Sequence, residues 1–226
     1  MSAANGPDLV QNGLILCLDA ADKQSYSGSG TTWRDLSGNS NNGSLLNSAS
    51  FSNENGGAIV LTNANSNVNC NGFTFNQPNL TFSCWFKTNS IGDGYKHFIS
   101  KELSCKVRIN NSNGQIELLM STNGIGWTNS IATDNLILAN IWYNVSATVQ
   151  SNGLAFIYLN GISRASGSLS GTLITNSNEI NIGSYNSGGP DTFNGRIAVA
   201  KVYNRALSVF EIIQNYNATK GRFNLT

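Results

Sequence analysis

Five glutamates, one histidine and four cysteines are the side chains of this chain best suited to chemistry, and their spacing argues against catalysis. Retaining glycoside hydrolysis needs two carboxylates close together on one face, which a strand supplies at alternate positions. Glu54, Glu102, Glu117, Glu179 and Glu211 stand alone, none with an aspartate two residues away. His97 is the sole histidine, which excludes a multi-histidine metal site, and no G-x-S-x-G turn presents a serine nucleophile. Cys17, Cys70, Cys84 and Cys105 form no C-x-x-C pair and lie far apart, with Cys17 and Cys84 inside apolar runs. They read as free thiols, Cys17 and Cys84 filling core space, in preference to a disulfide across two sheets. The expectation is a protein that binds rather than an enzyme.

Sugar recognition asks for an aromatic face to stack on and for Asn or Asp groups beside it, carried on loops. Three segments supply that combination: Gly92 to Tyr95, Gly124 to Trp127 and Tyr185 to Asp191. Tyr95, Trp127, Tyr185 and Asp191 are therefore the ligand-binding candidates, although rings of this kind serve as often in packing. Trp33, Trp85 and Trp142 read as packing residues. His97 reads as a polar residue at the start of a strand, and Asp35 as a turn or cap residue bonded to its own backbone.

The background is that of a soluble β domain. Of 226 residues 40% are hydrophobic and 11% charged, enough apolar material for a sizeable core. Asparagine, with 35 residues, does much of what lysine and glutamate do on other surfaces, and it favours turns over helix interiors. A formal net charge of +1, spread as isolated residues, gives no track for a phosphate backbone, so nucleic acid is not expected as a partner. No run reaches the roughly 20 apolar residues of a membrane span. The opening MSAANGPDLVQNG has neither a basic nor an apolar leader region, which predicts synthesis in the cytosol unless a leader has been trimmed.

Residues 1–13 read as an N-terminal arm and residues 14–226 as a single domain. LILCLDA from Leu14 is apolar on both faces and is expected to be a central strand. A Gly, Ser and Asn loop follows, anchored by Trp33 and Leu36. Gly56 to Leu61 is a strand, and TFSCWFKT from Thr81 alternates as a half-buried one. His97 to Ser100, Cys105 to Ile109 and Gln115 to Met120 form a meander, and Trp142 to Val149 turns at Ser151 to Gly153 into LAFIYLNG as a hairpin. EINIGSY and GRIAVAKVYN are late strands. Ten or more strands at this spacing make an all-β, two-sheet antiparallel sandwich. One short C-terminal helix starts at Ser208, with Glu211 completing a capping box, Leu207 and Ile212 a staple, and Phe210, Ile212, Ile213 and Tyr216 as packing contacts.

LILCLDA, WRDLSGNSNNGSL, TFSCWFK, YLNG, INIGSY and FNGRIAVAKVYNRALSVFEIIQNYN together resemble the laminin G-like, concanavalin A-like jelly-roll family across nearly the whole chain. The Asn-rich style and the ending QNYNATKGRF resemble versions in the virion proteins of tailed phages, including those of cyanobacteria. The resemblance implies a non-catalytic virion structural protein: a capsid decoration or cement protein, or a tail or fibre subunit. Such a subunit is made in the host cytoplasm and docks on other virion proteins as a homo-oligomer or on a lattice, and it can present a face to host-surface glycans. The alternative it implies is an extracellular, stand-alone lectin-like carbohydrate-binding module, assisted by calcium. Many such domains hold calcium through a loop aspartate, which Asp35 matches, and through an aspartate in the final strand, where this chain has Ala198. The missing carboxylate implies weak calcium binding.

Overall fold

Along Trp142–Val149, Tyr143, Val145, Ala147 and Val149 alternate with Trp142, Asn144, Ser146 and Thr148, which gives an extended chain one continuous apolar face. In the computed structural model that face lies in the main core, as its period predicts. The structure describes residues 7–62, 65–70, 72–73, 77–110, 112–174, 176–186 and 191–225. Its strands are β1 (Leu14–Asp19), β2 (Thr32–Trp33), β3 (Gly43–Leu46), β4 (Ser50–Ser52), β5 (Ala58–Leu61) and β6 (Asn67–Cys70). The middle of the chain adds β7 (Leu80–Thr88), β8 (Lys96–Lys101), β9 (Cys105–Ile109), β10 (Ile116–Met120) and β11 (Asn129–Ala132). The last are β12 (Trp142–Val149), β13 (Leu154–Leu159), β14 (Ile162–Ser168), β15 (Ile180–Ile182) and β16 (Gly195–Tyr203), followed by helix α1 (Val209–Asn217).

Two antiparallel sheets make a sandwich. The first runs β14-β13-β12-β7-β16-β5-β4, with β1 paired to β16 beyond β5, and the second runs β11-β10-β9-β8-β15-β6-β3-β2. The expected meander is β8-β9-β10, extended by β11, and the expected hairpin is β12-β13. Phe82, Cys84 and Phe86 of the first sheet meet Ile99, Val107 and Leu118 of the second in one core. All four cysteines are free and buried. Burial pushes the Cys17 thiol up to about 11.

Three expectations about the strands and loops need correction. LILCLDA is not a central strand, because β1 pairs with β16 alone. Its two apolar faces have another cause: Leu16 and Leu18 enter the main core, while Leu14 and Cys17 enter a second cluster with Tyr203, Leu207 and Ile212. Strand β7 is not half-buried, since Lys87 alone in it is partly exposed. Its outer face is covered by the C-terminal segment, where Trp85 stacks on Phe223 and Tyr216 and donates from Nε1 to Thr219 Oγ1 (2.8 Å). The Gly, Ser and Asn loop contains the short strands β2 and β3, with Trp33 fully buried as its anchor.

Helix α1 begins as its sequence dictates: Ser208 accepts from the Glu211 N–H, and the Glu211 side chain accepts from the Ser208 N–H. Arg205 grips Glu211 through both terminal nitrogens (2.9 and 2.6 Å). The staple pair Leu207 and Ile212 is buried, but Phe210 is 80% exposed and Ile213 39%, against the expectation of packing for both. At 100° per residue, a helix resting on Ile212, Asn215 and Tyr216 turns Phe210 and Ile213 outward. Beneath it lies the N-terminal arm: the Val10 N–H donates to Asn215 Oδ1 (2.9 Å) and the Tyr203 hydroxyl donates to the Val10 carbonyl (3.1 Å). Among the described residues no helix is long and apolar enough to cross a membrane.

Candidate functional site

Strand alternation sends every second side chain of the second sheet away from the core, and register lines those side chains up across it. One row reads Ser44, Asn69, Asn181, Ser100, Lys106, Leu119 and Ser130, each opposite the next. A second row reads His97, Arg108 and Glu117. The segments following β10 and β15 fold over these rows, which buries Asn69, Asn181, Ser100, Lys106 and His97. Ser100 Oγ fixes one cover by donating to the carbonyls of Ser184 (2.5 Å) and Tyr185 (2.9 Å).

The four ligand candidates converge on this face. Trp127 and Tyr185 meet edge to face with ring centroids 5.8 Å apart, and Lys106 Nζ lies between them, 4.1 Å from one centroid and 4.3 Å from the other. A desolvated cation–π contact of this kind stabilises by roughly 2 kcal/mol. Tyr95 lies under the Arg108 guanidinium at 3.6 Å, one row away, while Arg108 Nε donates to Glu117 Oε2 (2.8 Å). Asp191 acts on Lys106 through its charge. Burial lowers the Lys106 pKa to about 8, with Arg108 adding to the effect and Asp191 and Glu117 opposing it. His97 packs on Tyr185 with centroids 5.7 Å apart, and neither of its ring nitrogens has a hydrogen-bond partner among the described residues. Burial, then Lys106 and Arg108, hold its pKa well below the ordinary value, so the ring is neutral.

Beside Tyr185 opens a polar cleft of about 460 Å³ lined by Glu102, Ser177, Asn178, Glu179, Asn181 and Asn186. That volume falls in the range of small-ligand sites. Its floor is a network: Asn67 and Asn69 both donate to Asn181 Oδ1 (3.2 and 3.1 Å), and Asn69 also donates to Glu179 Oε2 (2.8 Å). Asn67 Oδ1 and Asn186 Oδ1 are buried acceptors without a hydrogen-bond partner among the described residues. Amide and carboxylate acceptors next to two aromatic rings are the chemistry that binds sugar hydroxyls and stacks on sugar C–H faces.

Asn69, Ser100, Lys106 and Asn181 were not singled out from the sequence, and Glu102 and Glu179 were read there as isolated carboxylates. The available signal was alternation within C-K-V-R-I, N-V-N-C and I-N-I, where polar residues stand between apolar ones. The three tryptophans read as packing, Trp33, Trp85 and Trp142, are buried.

Asp35, the calcium candidate, lies away from this face and serves the backbone. Its Oδ1 accepts from the N–H groups of Cys17 (2.8 Å) and Ser37 (2.9 Å), and its Oδ2 from Ser37 Oγ (2.7 Å) and the Asn41 N–H (3.0 Å). Four donors converge on one carboxylate, which is the wrong surrounding for a cation. Ala198, at the position of the second carboxylate in related domains, is buried in a cluster with Trp85, Trp142 and Phe223. The residues present do not fit a calcium ion.

Two antiparallel sheets in this order, closed by a capped C-terminal helix, define a concanavalin A-like sandwich. The chain belongs to the laminin G-type family described as the concanavalin A-like lectin/glucanases superfamily, whose model matches residues 53–213. Its fold is similar to the binding domain of Paraclostridial mosquitocidal protein 1, with TM-score 0.72 and 19% identity over 92% of this chain and 52% of that one. It is similar to the receptor-binding domain of botulinum neurotoxin type G, with TM-score 0.65 and 20% identity over 91% and 51%. Domain 4 of AbnA, an extracellular arabinanase of Geobacillus stearothermophilus solved with arabinotriose, gives TM-score 0.69 and 19% identity over 90% and 98%. The chain thus spans about half the length of the two toxin domains and nearly all of the arabinanase domain. At these identities the likeness is one of fold. Comparison with curated protein sequences returned no match.

Proposed function

We propose that this chain is a non-catalytic, lectin-like module that binds a glycan on the outer face of its second sheet. The observation that carries this reading is an Asn- and Glu-lined cleft whose wall residue Asn186 adjoins Tyr185 in the chain, the ring that Trp127 meets edge to face. The arabinotriose complex of the arabinanase domain supports it, as do the toxin domains named for receptor binding. The test is a glycan array followed by calorimetry, with Tyr185→Ala and Asn181→Ala as probes. Each variant should weaken binding about tenfold or more, the loss expected for a stacking ring or a buried hydrogen-bonding group. An array on which no glycan is retained overturns the reading.

A second reading, a virion structural subunit held by protein contacts, is favoured by the strip of Val209, Phe210 and Ile213 exposed on helix α1. Contiguous exposed apolar surface is characteristic of protein contacts. In this reading the strip faces a neighbouring virion protein or subunit, and the second sheet faces the host surface. Phe210→Ser should then abolish self-association or particle attachment while leaving glycan binding unchanged. A variant that assembles like the parent protein counts against it.

A further inference from the structure

Lys106 is 4% exposed, and among the described residues its ammonium has no hydrogen bond or ion pair, the opposite charges that act on it, Asp191 and Glu117, lying beyond ion-pair distance. Its near neighbours are the Trp127 and Tyr185 rings, whose faces offer no lone pair for three N–H donors. The other cation of this face is already matched, because Arg108 is bonded to Glu117 and stacked on Tyr95. The third basic group, His97, is neutral and places no acceptor against Lys106 within hydrogen-bond distance. Among the described residues, the outer face of the second sheet therefore holds one ammonium with no hydrogen-bonded counter-ion, attended by two rings and by the more distant charges of Asp191 and Glu117, on the same face as the proposed glycan site.

We propose that Lys106 selects glycans bearing an anionic substituent, a carboxylate or a sulfate ester, which becomes the ammonium's missing partner. The inference rests on the proposed glycan-binding function and adds the class of sugar. The substituent contributes acceptor oxygens that no described residue supplies, and the bond is charge-assisted, shorter and stronger than one between neutral groups. Trp127 and Tyr185 stand on connecting segments rather than on strands, so access to Lys106 displaces side chains and leaves the sheet intact. The depressed pKa of the amine is consistent with this: the charge is poorly stabilised in the free protein, and a bound anion restores what burial removed.

The experiment compares matched pairs by calorimetry: 3′-sialyllactose against lactose, and a sulfated chondroitin tetrasaccharide against its desulfated form. The charged member of at least one pair should bind about tenfold more tightly, as one charge-assisted hydrogen bond implies, and the pair that shows it identifies carboxylate or sulfate. The preference should shrink with added salt, vanish in Lys106→Met and persist in Lys106→Arg. Equal binding of charged and neutral members, or a preference unchanged in Lys106→Met, overturns the inference and leaves the glycan-binding function standing. Absence of binding to every glycan tested, these pairs and the array alike, overturns both. Circular dichroism reports whether Lys106→Met folds, and if it does not, the paired comparison on the unmodified protein decides alone.

Discussion

The ring of Phe223 lies on the indole of Trp85, centroids 4.0 Å apart and planes within 13° of parallel. Phe223 also tilts against Trp142 at 4.9 Å, so a residue of the C-terminal segment covers the outer face of the two central strands β7 and β12. Close behind, Arg222 pairs with Asp19 (2.6 Å) and donates to the Asn55 carbonyl (2.5 Å), tying the tail to the first third of the chain.

The tail should therefore be part of the stability of the sandwich. Phe223→Ala removes a buried ring from an aromatic cluster and should cost about 3 kcal/mol. Urea unfolding followed by tryptophan fluorescence measures this directly. A midpoint unchanged from that of the parent protein would show that the C-terminal segment is not integral to the fold.

Much of this architecture was legible in the residues. Alternation at Tyr143 to Val149 identified an inward face, and Ser208 with Glu211 marked a helix start to the residue. What failed was what depends on distant partners. The polar residues Thr81, Ser83 and Lys87 make β7 look half-exposed, because nothing local announces that Phe223 and Thr219 will fold over Trp85. The candidate site divides in the same way. Trp127, Tyr185 and Asp191 were recognisable one by one as loop aromatics and polar neighbours, but their convergence on Lys106 is set by the order β10-β9-β8-β15, and no local pattern encodes that order.

Asp35 gives a prediction about metal. Its carboxylate joins strand β1 to the turn at Ser37 and Asn41, so Asp35→Ala should lose about 2 kcal/mol, the value of hydrogen bonds to a charged acceptor. Calcium and a chelator should both leave the melting temperature of the parent protein unchanged, since a ligand that binds the native state must raise it. A calcium-dependent rise lost in Asp35→Ala would reassign the residue to a metal site.

His97 should make the protein acid-sensitive in a defined window. Its folded pKa lies well below the ordinary 6.5, so under mildly acidic conditions the unfolded chain takes up a proton that the native state refuses. The stability is fully present above pH 6.5 and is lost as pH falls below it, by about 1 kcal/mol at pH 5.5. The carboxylates with depressed pKa values, Asp93 and Glu211 at about 2, act lower, between their unfolded values near 4 and their folded ones. The chain has a single histidine, so guanidinium unfolding at pH 7.5 and 5.5 isolates it. His97→Leu should flatten the difference, and an equal pH dependence in both proteins would show that the ring is protonated in the native state.

The fold does bring two carboxylates into one cleft: Glu102 and Glu179, 77 positions apart in the chain, both line the cavity beside Tyr185. A glycosidase would use such a pair at roughly 5 to 9 Å, one member keeping its proton to protonate the leaving group. Keeping that proton calls for an apolar wall or a crowding carboxylate. Here the other walls are Ser177, Asn178, Asn181 and Asn186, with no apolar side chain among them, and Glu179 Oε2 already accepts from Asn69, a lining suited to hydrogen-bonding sugar hydroxyls. The purified protein should release no reducing sugar from β-glucan or arabinan, while Glu179→Gln should weaken glycan binding about tenfold through the lost charge-assisted acceptor. Measurable hydrolysis that disappears in Glu179→Gln or Glu102→Gln would make this face an active site, and the binding reading would then describe only its substrate.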